Sequence, residues 1–146
     1  MLKTQFGSSM EDLSNRATVY ASDLFSGKTV VVTGAGVGLG LAIATLFARL
    51  GANLAINGRN EEKLALAKEF LERFGGGVFA VPMTIREPEQ VEDFVAKTNQ
   101  EFGAIDVLVN NAGGQFPQAA LEFSPKGWNA VIDTNLNGTW WLMQST

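Results

Sequence analysis

The sequence predicts an α/β fold, a doubly wound parallel sheet with helices on both faces, and three observations carry that prediction. From Thr29 onward, short β-branched runs alternate with longer stretches whose apolar residues recur at helical spacing. The first run, Thr29-Val30-Val31-Val32-Thr33, is apolar on both faces at its centre, as a strand covered on both sides must be. A glycine-rich segment, Thr33-Gly34-Ala35-Gly36-Val37-Gly38-Leu39-Gly40, joins that strand to the helical pattern behind it.

Residues 1–27 are mixed, polar and Ser-rich, and read as an N-terminal arm ahead of one domain over residues 28–146. After the first strand, Leu39, Ile43, Leu46, Phe47 and Leu50 mark a helix stopped by Gly51. A second strand over residues 53–57 leads to a helix with Leu64, Ala67, Phe70, Leu71 and Phe74, ended by Gly75-Gly76-Gly77. The third unit has a strand over 78–81 and a helix marked by Val91, Phe94, Val95, Thr98 and Phe102, closed by Gly103. A fourth strand over 106–109 is followed by a glycine-rich loop and a last helix, with Trp128, Val131, Ile132, Asn135, Trp140 and Met143 near one face. That pattern reaches Thr146 with no Gly, Asn or Pro to stop it, so the expectation is a sheet of order 3-2-1-4, incomplete at its C-terminal side.

At 146 residues and 46% hydrophobic content, the chain can build one core but is short for two typical domains. Its formal charge of −4 offers no electrostatic footprint for nucleic acid or an anionic membrane. Cysteine and histidine are both absent, which removes thiol nucleophiles, disulfides, imidazole bases and the zinc sites made from them, so no metal is expected. The first residues lack the continuous apolar run of a signal peptide, and no stretch approaches the roughly 20 apolar residues that cross a bilayer. A cytoplasmic location is the resulting expectation. Glu87, Glu89, Glu92 and Asp93 open a helix, where carboxylates favour the positive end of its dipole, and are given no catalytic role.

Glycines between a strand and a helix let the main chain approach a pyrophosphate, which the unpaired N–H groups of the helix start then hold. Here the spacing is Thr33-Gly34-x-x-x-Gly38-x-Gly40, and the fourth strand ends in Asn110-Asn111-Ala112-Gly113. With these two motifs in register, the chain resembles the short-chain dehydrogenase/reductase family. The segments Asn110-Asn111-Ala112-Gly113-Gly114-Gln115-Phe116-Pro117 and Ser124-Pro125-Lys126-Gly127-Trp128-Asn129-Ala130-Val131 are similar to those of one branch. That branch holds peroxisomal trans-2-enoyl-CoA reductases and bacterial citronellol/citronellal dehydrogenases.

The resemblance implies a Rossmann-type dinucleotide-binding domain with Thr33, Gly34, Gly36, Val37, Gly38, Leu39 and Gly40 at the cofactor. Arg59 and Asn60 after the second strand, Thr84 and Ile85 after the third, and Asn111, Ala112 and Gly113 after the fourth complete the binding set. Thr84 stands where the family usually has an Asp for the adenine amino group, and a hydroxyl accepts that hydrogen bond more weakly. Asn135 matches the family's catalytic-site Asn, which by that resemblance positions a water in the proton relay; the alternative is a buried amide that only satisfies backbone groups at a kink beside Gly138. The family's Ser and Tyr-x-x-x-Lys lie farther along than these residues, and the single tyrosine, Tyr20, has no Lys four positions on. Trp128, Trp140 and Trp141 are read as core or subunit-contact residues.

The implied activity is hydride transfer between a nicotinamide and a small-molecule substrate, a 2-enoyl thioester or a terpenoid-type alcohol or aldehyde. A homo-oligomer paired through the helix near Pro125 goes with it. A catalytically silent dinucleotide module, acting as sensor or scaffold, is the alternative. In the dinucleotide fold an acidic residue ending the second strand binds the ribose 2′-hydroxyl and repels a 2′-phosphate. This strand ends Ile56-Asn57-Gly58-Arg59-Asn60, with no carboxylate before Glu61. NADP(H) is therefore the expected cofactor; NAD(H) stays possible if Arg59 is a solvated charge that only stacks on adenine.

Overall fold

Valines without polar interruption make β1 (Thr29–Val32) the best-buried strand, with Val30, Val31 and Val32 wholly inaccessible. In this computed structural model, which describes residues 8–115 and 117–146, β1 pairs in parallel with β2 (Asn53–Gly58) and with β4 (Val107–Val109). Outside β2 lies β3 (Val78–Pro82), giving the parallel order β3-β2-β1-β4 expected from the sequence. Val31 sits opposite Ala55 and Leu108. The β4 residues are only half-buried, as befits a sheet edge.

Alternation along β1 divides the core into two layers. Val30 and Val32, with Leu54 and Ile56, meet α2 (Gly38–Arg49) and α3 (Glu61–Glu72) through Ala44, Ala48, Leu64 and Phe70. Val31 and Ala55 face the other way, against Val91 and Phe94 of α4 (Pro88–Phe102) and Leu142 of the C-terminal helix. Helices thus cover both faces, and the fold is a doubly wound Rossmann-type sheet.

Three local readings change. The arm carries a short helix, α1 (Met10–Asn15), started by a capping box in which the Ser9 hydroxyl accepts from the Asp12 N–H and the Asp12 carboxylate accepts from the Ser9 N–H. Arg49 holds its far end, donating to the carbonyls of Leu13 and Arg16 at 2.9 and 2.6 Å.

On α2 the buried face is Gly40, Leu41, Ala44, Thr45 and Ala48, while Leu39 is 71% exposed. Small residues let this helix lie close on the sheet, so the larger apolar side chains fall to its flanks.

The last helical run is not one α-helix. It consists of α5 (Pro125–Ile132), a π turn at Asp133–Asn137 and α6 (Gly138–Ser145). Gly138 and Leu142 form its buried line, and Trp128, Trp140 and Met143 are more than half exposed. Only a residue without a side chain fits where α6 crosses Ile85, and with Gly138 facing inward Trp140, two positions on, faces outward. Trp141 alone of the three tryptophans packs on the core.

Candidate functional site

The carboxyl ends of the strands open into a cleft of about 340 Å³, the size and place expected of a small-molecule site in an open α/β sheet. Its floor is the loop after β1, and that loop is held from both neighbouring strands. From the β4 side, the Thr33 hydroxyl accepts the N–H groups of Asn111 and Ala112 at 3.0 and 2.9 Å. Asn111 returns the contact, its amide donating to the Thr33 carbonyl at 2.8 Å and to that of Gly34 at 3.4 Å.

From the β2 side, the Asn57 carbonyl accepts the Ala35 N–H at 3.0 Å, and its side-chain oxygen accepts the Gly34 N–H at 3.1 Å. The Asn57 side-chain nitrogen is buried and, among the described residues, has no hydrogen-bond partner. Gly40 completes the loop, because a Cβ there would collide with the Gly34 carbonyl and sit 2.5 Å from the Asn111 amide. These bonds consume the inner donors and leave Gly36 and Val37 lining the open cleft.

Gly58, Arg59, Asn60 and Lys63 form the wall beside β2. Asn60 caps α3, its side-chain oxygen accepting the Lys63 N–H at 2.8 Å. Across the cleft, the Thr84 hydroxyl accepts the Arg86 N–H at 3.3 Å while the Thr84 N–H donates to Gln90 at 3.2 Å. That hydroxyl is partly spent locally. Ile85 is buried beneath, and the Arg86 guanidinium reaches Asp133 of the π turn at 3.5 Å.

Asn135 sits in that π turn, with both ends of its amide engaged by Gly114. Its oxygen accepts the Gly114 N–H at 2.9 Å and its nitrogen donates to the Gly114 carbonyl at 2.8 Å. Asn135 is exposed and ties the π turn to the loop after β4.

Of the residues singled out in the sequence, Gly34, Gly36, Val37, Arg59, Asn60, Thr84, Ile85, Asn111, Ala112 and Gly113 come together around the cleft. Thr33 and Gly40 lie buried behind it, Gly38 and Leu39 stand exposed at the start of α2, and Asn135 acts on Gly114 instead of lining the wall. Sequence reasoning missed Lys63, Met83, Arg86 and Thr134. The Asn60 cap carries the one signal that could have found Lys63, since a capped first turn at the strand end must face the glycine loop.

Charge at the cleft is one-sided. Arg59 and Lys63 are exposed and, among the described residues, neither has a carboxylate within 4.0 Å, whereas Arg86 is paired. The described residues contain no group of three acidic side chains placed to hold a metal, and none of their helices is long and apolar enough to cross a membrane.

A parallel sheet with a glycine loop at the carboxyl end of its central strand and a cleft above it defines a Rossmann-type α/β domain. The chain belongs to the short-chain dehydrogenase family, whose model matches residues 28–146. It is 37% identical over 118 residues to a probable 2,4-dienoyl-CoA reductase of Bacillus subtilis, covering 81% of this chain and 46% of that protein. A probable 2,4-dienoyl-CoA reductase 3 of Caenorhabditis elegans is 44% identical over 115 residues, 77% of this chain and 37% of that protein. Among solved structures, a citronellol catabolism dehydrogenase of Pseudomonas aeruginosa superposes with a TM-score of 0.82 at 38% identity, over 88% of this chain and 52% of that one. L-sorbose reductase from Gluconobacter frateurii, complexed with NADPH and L-sorbose, gives 0.81 at 32% identity, over 86% and 48% of the two chains. This chain thus spans half or less of the curated relatives it matches.

Proposed function

We propose that this chain is the cofactor-binding part of an NADP(H)-dependent oxidoreductase acting on an enoyl thioester or a terpenoid-type alcohol or aldehyde. The observation that carries the cofactor reading is the wall beside β2, where Gly58 and an unpaired Arg59 stand in place of a carboxylate. A guanidinium takes two phosphate oxygens at once, and each charge-assisted bond is worth on the order of 1.5–3 kcal/mol. NAD(H), which lacks that phosphate, gains nothing from it.

The residues fit a dinucleotide in other respects. Gly36 and Val37 offer backbone to a pyrophosphate, Thr84 and Ile85 flank the adenine end, and Ala112 and Gly113 lie at the opposite end for the nicotinamide ribose. When bound, the cofactor supplies the hydride chemistry. The chain's part is to hold and orient it, with Asn135 fixing the loop that carries Gly113 and Gly114 and supporting the proton relay from the π turn.

The substrate reading is supported by relatives named as 2,4-dienoyl-CoA reductases and as a citronellol catabolism dehydrogenase. Pairing into a homo-oligomer through α5 and α6 is part of the proposal, in line with the exposed Trp128, Trp140 and Met143, and so is a cytoplasmic location. The test is turnover by the whole polypeptide that contains these residues, with NADPH or NADH and with enoyl-CoA, dienoyl-CoA and citronellal as substrates. NADPH-dependent reduction of at least one of them is expected. Failure with all three would overturn the substrate reading, and faster turnover with NADH would overturn the cofactor reading.

A further inference from the structure

We propose that Lys63 is a second cation for the 2′-phosphate of the adenosine ribose, so that cofactor choice is read by a pair of charges, Arg59 and Lys63. This rests on the NADP(H) reading above. The two residues are four positions apart, on either side of the Asn60 cap, and both line the cleft. Glu61 and Glu62, between them in sequence, do not line it.

Packing fixes where Lys63 stands. A Cβ on Gly36 would lie 3.6 Å from the Leu64 nitrogen and 3.7 Å from the Lys63 carbonyl carbon, so the first turn of α3 rests directly on the glycine loop. Leu64 is 2% exposed and locks the rotation of the helix, while the Asn60 side chain holds the Lys63 N–H. Lys63 itself is exposed. Its four-carbon stem therefore starts at the cleft wall and leaves the ammonium free to swing over the opening.

Two unpaired cations on one small wall repel each other, and without an anion that arrangement costs stability. A phosphate monoester, with a charge of about −1.5 to −2 near pH 7, removes the repulsion and binds both. A ribose 2′-hydroxyl does neither. Lysine acts as a point charge while Arg59 supplies the directional fork, so their losses should differ in salt dependence as well as size.

The experiment is calorimetric titration of the chain with adenosine 2′,5′-bisphosphate and with 5′-AMP, for the wild type and for Lys63→Gln, Lys63→Arg and Arg59→Ala. Glutamine keeps helix propensity and leaves the cap to the backbone N–H intact. The expected result is that Lys63→Gln lowers the preference for the bisphosphate by about five- to ten-fold, that Lys63→Arg restores most of it, and that the effect shrinks as salt is raised. A preference that Arg59→Ala reduces and Lys63→Gln leaves alone overturns the role of Lys63 while the NADP(H) reading stands. Equal loss of both ligands in Lys63→Gln also overturns it, because that is the mark of a structural defect in α3. A wild-type chain that binds the two ligands equally overturns both the pair and the NADP(H) reading.

Discussion

Asn135 and Gly114 grip each other through a complete amide pair, two hydrogen bonds of 2.9 and 2.8 Å across 21 residues. The pair joins the π turn to the loop after β4. Replacing Asn135 with Ala removes both bonds from a site that water can reach, which should cost about 1–2 kcal/mol, since each net hydrogen bond contributes about 0.5–1.5 kcal/mol. Asn135→Asp keeps the acceptor and loses the donor, and should fall between. Urea denaturation midpoints of the three proteins check the order; an Asp variant weaker than the Ala variant would show that the carboxylate, not the missing donor, dominates.

Asn57 performs the matching task from β2, with a carbonyl on Ala35 and a side-chain oxygen on Gly34. Asn57→Leu fills similar space and removes the acceptor of the half-buried Gly34 N–H, at a cost of about 0.5–1.5 kcal/mol for one net hydrogen bond. The glycine loop then loosens, and affinity for 5′-AMP and for NADPH should fall together. Selectivity between NADPH and NADH should not move, because Arg59 and Lys63 are untouched. Parallel binding titrations read both quantities.

Gly138 is the contact that sets the depth of α6. A Cβ there would meet the Ile85 side chain and the Ile85 carbonyl oxygen, each at 2.8 Å. The side chain can rotate away but the carbonyl cannot. Gly138→Ala should therefore destabilise by about 1–3 kcal/mol, the range of overpacked cores, and adding Ile85→Ala should recover only part of the loss. Full recovery in the double variant would mean the backbone clash is not felt.

Acid should loosen the N-terminal end of the sheet through Asp106. The Lys28 ammonium at 2.7 Å, and then the Thr29 N–H at 2.9 Å, hold its carboxyl below the ordinary aspartate range. A group whose folded pKa is depressed stabilises fully above its unfolded value, about 3.9, and loses that contribution as pH falls through the lower, folded value. Asp106→Asn should thus lower Tm at pH 7 and converge with the wild type at the acid end. A constant difference across pH would argue that the carboxylate charge is not what matters.

Much of this was legible because the signals were local. Valine runs, glycine stops and the periodic faces of α3 and α4 marked the strands and helices, the doubly wound class supplied the sheet order, and the residues around Gly34 and Asn111 follow from motif spacing. What escaped depended on approach distances that a sequence does not display. The buried face of α2 is set by how closely small residues let it lie, the phase of α6 by a bare Gly138 against Ile85, and the place of Lys63 by a first turn seated on Gly36. The capping box of α1 was visible as Ser9-x-x-Asp12 and was passed over inside a polar arm.

Direct titration of this chain with NADPH and with NADH tests the central claim most closely, because it asks the cleft itself which dinucleotide it takes. The account predicts that NADPH binds at least about ten-fold more tightly, a difference of about 1.4 kcal/mol, that Arg59→Ala reduces this difference, and that Arg59→Ala combined with Lys63→Gln brings the two dissociation constants together. Equal affinities in the wild type, tighter binding of NADH, or a preference for NADPH that Arg59→Ala leaves unchanged would contradict it.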